Sequence, residues 1–353
     1  MTYLCKAWKH WLPLVGLLVF FPLVEGCRQP TPIRNSETIT GQTMGTTYSV
    51  KYLPKADTPK LLQVGDLIEM ELESVNVQMS TYRDDSEISR FNKSDSSDWF
   101  PVSAETAQVV DLSLEIHAMT DKHFDVTVGP LVELWGFGKS EASDSLPSDL
   151  EIKELLNSVG SDKLEVRSDP PALRKLVKKL QVDLSAVAKG HGVDRLAGVL
   201  DKLRIEDYFV EIGGEVRTKG NGHHGGAWKV GIELPDRETR QVMRVVGISN
   251  KSMATSGDYR NFRTVKGSSF SHFIDPGSGR PVQTDIASVT VLAEDCATAD
   301  AIATGLIASG RENAQALVEK HDLPVLMVFR QGDQLETFES TKFLEWVVKD
   351  KSL

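Results

Sequence analysis

The 353-residue chain carries 50 acidic against 40 basic side chains, a net charge of −10 with no Lys/Arg-rich block, which makes it a poor partner for nucleic acid. Its length suffices for a large core, in one elaborate domain or two fused ones. Of its three cysteines, Cys5 and Cys27 lie at the extreme N-terminus and only Cys296 falls in the body. That count leaves the body no disulfide pair and no cysteine-based zinc cluster, so a metal there must be held by oxygen or histidine.

Residues 1–26 read as a secretory leader. Lys6, Lys9 and His10 form a basic start, and the apolar run Trp11 to Val24, broken by Pro13 and Pro22, is shorter than the roughly 20 residues of a spanning helix. Leu23-Val24-Glu25-Gly26-Cys27 resembles a bacterial lipobox, which would place lipid on Cys27, although Glu25 stands where a small residue is usual. Residues 27–36, polar and proline-bearing, then serve as a tether, leaving 37–350 as a single domain.

Thr38 to Leu53 reads as a strand pair about Met44-Gly45. Leu61, Val64, Ile68, Leu72, Val75 and Met79 recur at helical spacing, and Ser80 to Asp85 breaks the pattern. Ser103 caps a second helix carrying Val109, Leu112, Ile116 and Met119. An exposed loop at Asp144 to Ser148 precedes a short helix ending at Gly160. Strand signals follow at Leu180–Leu184, Tyr208–Ile212, Trp228–Leu234, Val242–Ile248, Ser288–Leu292 and Val325–Phe329. Helices are expected at Val187–Leu203, Ala297–Ser309 and Glu312–His321. Consecutive strands without intervening helices predict an α+β fold, with largely antiparallel sheets flanked by helices.

Five places could carry chemistry. Phe270 to Pro281 packs His272, Asp275 and Arg280 into a turn punctuated by Pro276, Gly277 and Gly279, although a well-ordered hairpin explains it too. Asp300 and Thr304, four apart, face one side of their helix and offer hard oxygens suited to Mg²⁺; a plain polar stripe is the rival. Asp183 to Gly192 is a strand-to-helix junction where Ser185 is a natural N-cap and Lys189 would suit an anion, against the plainer reading of a capped helix with an exposed lysine. His123 to Gly138 mixes aromatics with Gly129, Pro130 and Gly136, and either borders a planar ligand or packs a core. Glu211-Ile212-Gly213-Gly214-Glu215 brings backbone close to something, or is simply a turn.

Taken together, these runs occur in the order found in one family. Thr43-Met44-Gly45-Thr46, Ser80-Thr81-Tyr82, Phe124-Asp125-Val126-Thr127-Val128-Gly129-Pro130-Leu131 and Leu134-Trp135-Gly136-Phe137-Gly138 come first. Val182-Asp183-Leu184-Ser185, Ser256-Gly257-Asp258-Tyr259-Arg260 and Ser271-His272-Phe273-Ile274-Asp275-Pro276 follow. The chain resembles the ApbE-type FAD:protein FMN transferases, once labelled thiamine biosynthesis lipoproteins, from about Gly41 to about Phe343.

The resemblance implies a magnesium-dependent enzyme that cleaves the pyrophosphate of FAD, joins FMN to a Thr or Ser of a partner protein, and releases AMP. It implies Mg²⁺ ligation by Asp300, Thr304 and the Ala186 carbonyl. A second acid found in some relatives before the helix threonine is replaced by Ala303. Flavin contacts carry over to Met44, Tyr82, His123, Phe124, Asp125, Asp183, Lys189 and Ile274. His272 is the base for the incoming hydroxyl, or its orienter, with Asp258 and Asp275 as rivals. Expected acceptors are subunits of membrane redox complexes of the Na⁺-pumping quinone reductase or Rnf type. The expected location is the bacterial cell envelope, lipid-anchored, on the inner membrane facing the periplasm. An FAD pyrophosphatase and a non-catalytic FAD-binding lipoprotein are the alternatives.

Overall fold

A computed structural model describes residues 34–139, 145–236, 241–257, 262–265, 268–332 and 334–349. The leader, Cys27 and Asp258 lie outside the described residues. Among those residues no helix is long and apolar enough to cross a membrane.

The frame is one eight-stranded sheet whose spatial order follows the chain. Its strands are Glu37–Thr43, Thr46–Tyr52, Tyr208–Ile212, Glu215–Lys219, Lys251–Gly257, Ile286–Ala293, Val325–Gln331 and Gln334–Glu339. Each runs antiparallel to its neighbours. The expected α+β fold with antiparallel sheets is what forms. Sequence reading missed Glu215–Lys219, Lys251–Gly257 and Gln334–Glu339.

The helices enter as insertions between these strands. After the second strand come α1 (Leu61–Met79), α2 (Glu87–Lys93), α3 (Ala104–Met119), α4 (Gly129–Leu134), α5 (Asp149–Leu156) and α6 (Ala188–Lys202). After the sixth come α7 (Cys296–Ser309) and α8 (Arg311–His321). The buried residues of α1 are Val64, Ile68, Leu72, Val75, Gln78 and Met79, the stripe its spacing dictates. Ser103 caps α3, accepting from the Thr106 N–H, as expected.

α7 is different. It is buried nearly all round and rich in Ala, so it lies in the core between the sheet and α3 rather than on the surface. On the sheet's other face, a hairpin of Trp228–Glu233 and Val242–Ile248 closes a smaller core with Met253, Leu292 and Leu326. Alternation along Val325–Gln331 sends Val325, Met327 and Phe329 to the α7 side and Leu326 to the hairpin side.

α6 and α7 meet at their N-terminal ends and cap each other. Asp194 of α6 accepts from the Cys296 and Ala297 N–H groups that open α7, each at 2.9 Å. Asp300 of α7 accepts from the Gly190 N–H in the first turn of α6 at 3.0 Å. Each carboxylate takes donors that have no partner within their own helix and sits at the positive end of a helix dipole. A Cβ on Gly190 would collide with the Cys296 carbonyl, so only glycine permits this approach.

Candidate active site

The junction leading into α6 departs from expectation. Leu180, Val182 and Leu184 alternate like a strand and are buried, but among the described residues Leu180–Leu184 pairs with no strand. The side-chain amide of Asn92 on α2 takes the neighbour's place, donating to the Val182 carbonyl and accepting from the Val182 N–H, both at 2.8 Å. Asp183 is held by its own N–H to the Val126 carbonyl at 2.7 Å. Ser185 is not the cap of α6: its N–H donates to Asp183 Oδ1, and α6 begins after Val187 with no side-chain cap. The capping role falls to Asp300 instead.

That substitution creates the site's charged centre. With Oδ2 tied to Gly190, Asp300 turns Oδ1 toward Lys189 Nζ at 3.6 Å. Lys189 Nζ donates to Glu215 Oε1 at 2.9 Å, and the other oxygen of that buried carboxylate, Oε2, has no hydrogen-bond partner among the described residues. Burial pushes the Asp300 carboxyl up, with Lys189 and the Gly190 N–H pulling against it. Burial likewise pushes the Glu215 carboxyl up, opposed by Lys189. Burial works against the Lys189 ammonium, but Asp300 and Glu215 outweigh it and hold the ammonium charged. One turn along α7, Thr304 Oγ1 lies 3.1 Å from Ser256 Oγ on the neighbouring strand.

Two hairpin turns flank this centre. Met44 (φ 50°) and Gly45 (φ 73°) form a two-residue turn in the left-handed region. Met44 reaches back to α6: a Cβ on Gly192 would lie 3.0 Å from Met44 Cε. Gly213 (φ +63°) makes the second turn, where a Cβ would lie 2.9 Å from Thr46 Cγ2 and 3.4 Å from Glu215 Oε2.

Along α7, Asp300, Thr304 and Ala308 share one face, and Ala308 lines a cleft of ≈ 510 Å³ with His123, Trp135, Phe270, Asp275 and Arg280. From Asp300 to Ala308 the helix rises about 12 Å. Asp275 accepts from the Gly277 and Ser278 N–H groups and so shapes the turn at the cleft's edge. Trp135 Nε1 donates to the Gly279 carbonyl at 2.9 Å, pinning that turn to α4. Ile274 is buried and pairs with Pro281. The His272 ring lies against Phe273, centroids 4.0 Å apart and planes tilted by 39°, with Phe137 at 6.3 Å.

Not every expected contact residue faces open space. Asp125 is buried, and both its oxygens are engaged by the chain: Oδ1 accepts from the Thr127 N–H and hydroxyl and the Ser161 hydroxyl, and Oδ2 from the Ser161 N–H. It locks the loop instead of reaching outward. Phe124 is a core residue packed against Gly305. Tyr82 is 68 % exposed, its ring uncovered by the chain. The structure thus groups Met44, Lys189, Asp300 and Thr304 about the start of α6, and His123 with the Phe270–Gln283 segment at the far end of α7. Sequence reading did not single out Glu215, Asn92 or Asp194; for Glu215, the Gly213-Gly214 turn just before it was the available signal.

A sequence profile of the ApbE family matches residues 44–327. The chain belongs to the ApbE family. Within it, the chain is 41 % identical over 343 residues to the FAD:protein FMN transferase of Vibrio cholerae, covering 97 % of this chain and 100 % of that protein. To the FAD:protein FMN transferase of Escherichia coli it is 36 % identical over 345 residues, 96 % of this chain and 98 % of that one. The solved flavin transferase ApbE from Vibrio cholerae superposes with a TM-score of 0.82, covering 88 % of this chain and 99 % of that one at 41 % identity. The apo flavinyl transferase ApbE of Pseudomonas stutzeri gives 0.80 at 34 % identity, over 88 % and 96 % of the two chains. The ApbE fold is therefore that of the frame above, a mixed α+β arrangement about one antiparallel sheet.

Proposed function

We propose that the chain is an Mg²⁺-dependent FAD:protein FMN transferase. In this reaction a Thr or Ser hydroxyl of an acceptor protein attacks the FMN phosphorus of FAD. The new P–O bond forms as the bond to AMP breaks, and AMP leaves. The observation that carries the reading is the α7 face, which runs from a buried carboxylate through a hydroxyl to an aromatic-lined cleft. Such a face suits a ligand with a charged middle and a planar end.

Asp300 Oδ1, Thr304 Oγ1 and the Ala186 carbonyl would hold the metal. Among the described residues no group of three or more His, Cys, Asp or Glu side chains could hold one. That fits Mg²⁺, a hard ion that takes one or two carboxylates and fills its shell with water and phosphate oxygens. When bound, it neutralises the pyrophosphate and the charge developing on AMP. Lys189 stands beside the carboxylate to receive phosphate oxygens, and Met44 closes the site from the first hairpin. His272 accepts the hydroxyl proton or orients the hydroxyl for attack.

The proposed acceptors are subunits of membrane redox complexes of the Na⁺-pumping quinone reductase or Rnf type. The proposed location is the periplasmic side of the inner membrane, through lipid on Cys27. The test incubates the chain with FAD, Mg²⁺ and an acceptor domain bearing the target hydroxyl. Mass spectrometry should find one FMN added per acceptor with an equal amount of AMP, and EDTA should abolish both. AMP and free FMN beside an unmodified acceptor would replace transferase by pyrophosphatase.

A further inference from the structure

The Glu211–Glu215 hairpin has no part in the reaction just outlined, yet it delivers a buried carboxylate to the charged centre. Glu215 is 3 % exposed, holds Lys189 through Oε1 at 2.9 Å, and leaves Oε2 beneath the Gly213 turn without a hydrogen-bond partner among the described residues. Lys189 in turn lies 3.6 Å from the only Asp300 oxygen not committed to Gly190. A divalent ion on that oxygen would therefore have an ammonium as close neighbour in a site with little water to screen the repulsion.

We propose that Glu215 is a positioning residue that sets the affinity of the divalent cation by holding Lys189: its carboxylate cancels the ammonium's charge and draws it off Asp300. This rests on the Mg²⁺ site proposed above. With the pair intact, the ion at Asp300 meets a neutral Lys189–Glu215 couple. Without Glu215, the ammonium is left to Asp300 alone and opposes the incoming ion. Without Lys189, no ammonium stands beside Asp300 to oppose the ion. Without both, the balance returns to that of the native pair.

The test is Mg²⁺ binding, by titration calorimetry on the full chain in detergent with and without FAD, with melting curves to establish that each variant is folded. Glu215→Gln should weaken Mg²⁺ by about tenfold or more. Without FAD, Lys189→Met should bind Mg²⁺ at least as tightly as the native chain. The double variant should recover to within about threefold of the native affinity, because Glu215 acts through Lys189. A double variant as weak as Glu215→Gln would overturn the inference, since Glu215 would then act as a ligand or as structure alone. Unchanged affinity in Glu215→Gln would overturn it as well. No Mg²⁺ binding by the native chain in either condition would instead remove the metal site itself, and the inference with it.

Discussion

Asp300 does two jobs with two oxygens, and substitutions can separate them. Oδ2 caps α6 through Gly190, while Oδ1 faces Lys189 and the proposed metal position. Asp300→Asn keeps the size and one carbonyl oxygen, so the cap can persist while the charge is lost. Outer-shell partners of a metal alone are commonly worth about 10–100-fold, so loss of a direct carboxylate should cut FMN transfer by about 100-fold or more. Thr304→Ser keeps the hydroxyl and should cost far less than Thr304→Val. Both are read from the rate of FMN addition to the acceptor at fixed Mg²⁺. Equal losses for Ser and Val would mean that Thr304 matters for packing and not for its oxygen.

At the scale of elements, the reciprocal caps between α6 and α7 hold the charged centre in register. Asp194→Ala strips the acceptor from the Cys296 and Ala297 N–H groups and removes the partner of the Arg217 guanidinium. Leaving such groups unpaired should cost about 2–4 kcal/mol, seen as a lower urea midpoint at unchanged slope. Gly190→Ala forces the helix ends apart and should cost about 1–3 kcal/mol by the same measurement, with weaker Mg²⁺ binding as a second sign. A Gly190→Ala variant of native stability would mean that the contact with Cys296 relaxes without consequence. These caps were not legible in the sequence, because each joins residues about a hundred positions apart. What was legible was local: the three-and-four spacing of α1, the Ser103 cap of α3, and the Met44-Gly45 turn. Leu180–Leu184 misled for a physical reason, since its alternation is genuine but a side-chain amide from Asn92 stands where a strand was expected. Lys251–Gly257 escaped notice because Ser252, Thr255 and Ser256 dilute its apolar pattern, although it lies in the middle of the sheet.

For the molecule as a whole, two buried bases tie stability to pH. His191 lies within α6, where burial, and secondarily Arg195, pushes its imidazole down to about 4, with Glu105 pulling the other way. Between about pH 6.5 and 4 the unfolded chain therefore binds a proton at His191 that the folded chain refuses, and stability falls as pH falls through that window. The full effect is on the order of 3 kcal/mol. Lys175 donates to the Asn92 and Ser94 carbonyls at the end of α2, and burial pushes it down to about 8, with Asp95 pulling the other way. From pH 8 to about 10.5 the unfolded chain again holds the extra proton, so stability rises with pH there. Urea midpoints across pH should show both slopes with the same sign. His191→Gln should flatten the acid slope and leave the alkaline one, and Lys175→Met should do the reverse. Acid and alkaline slopes that survive both substitutions would assign them to other groups. Because Lys175 holds the carbonyl end of α2, and Asn92 of the same helix holds the segment entering α6, Lys175→Met should also loosen Asp183 and slow FMN transfer at neutral pH.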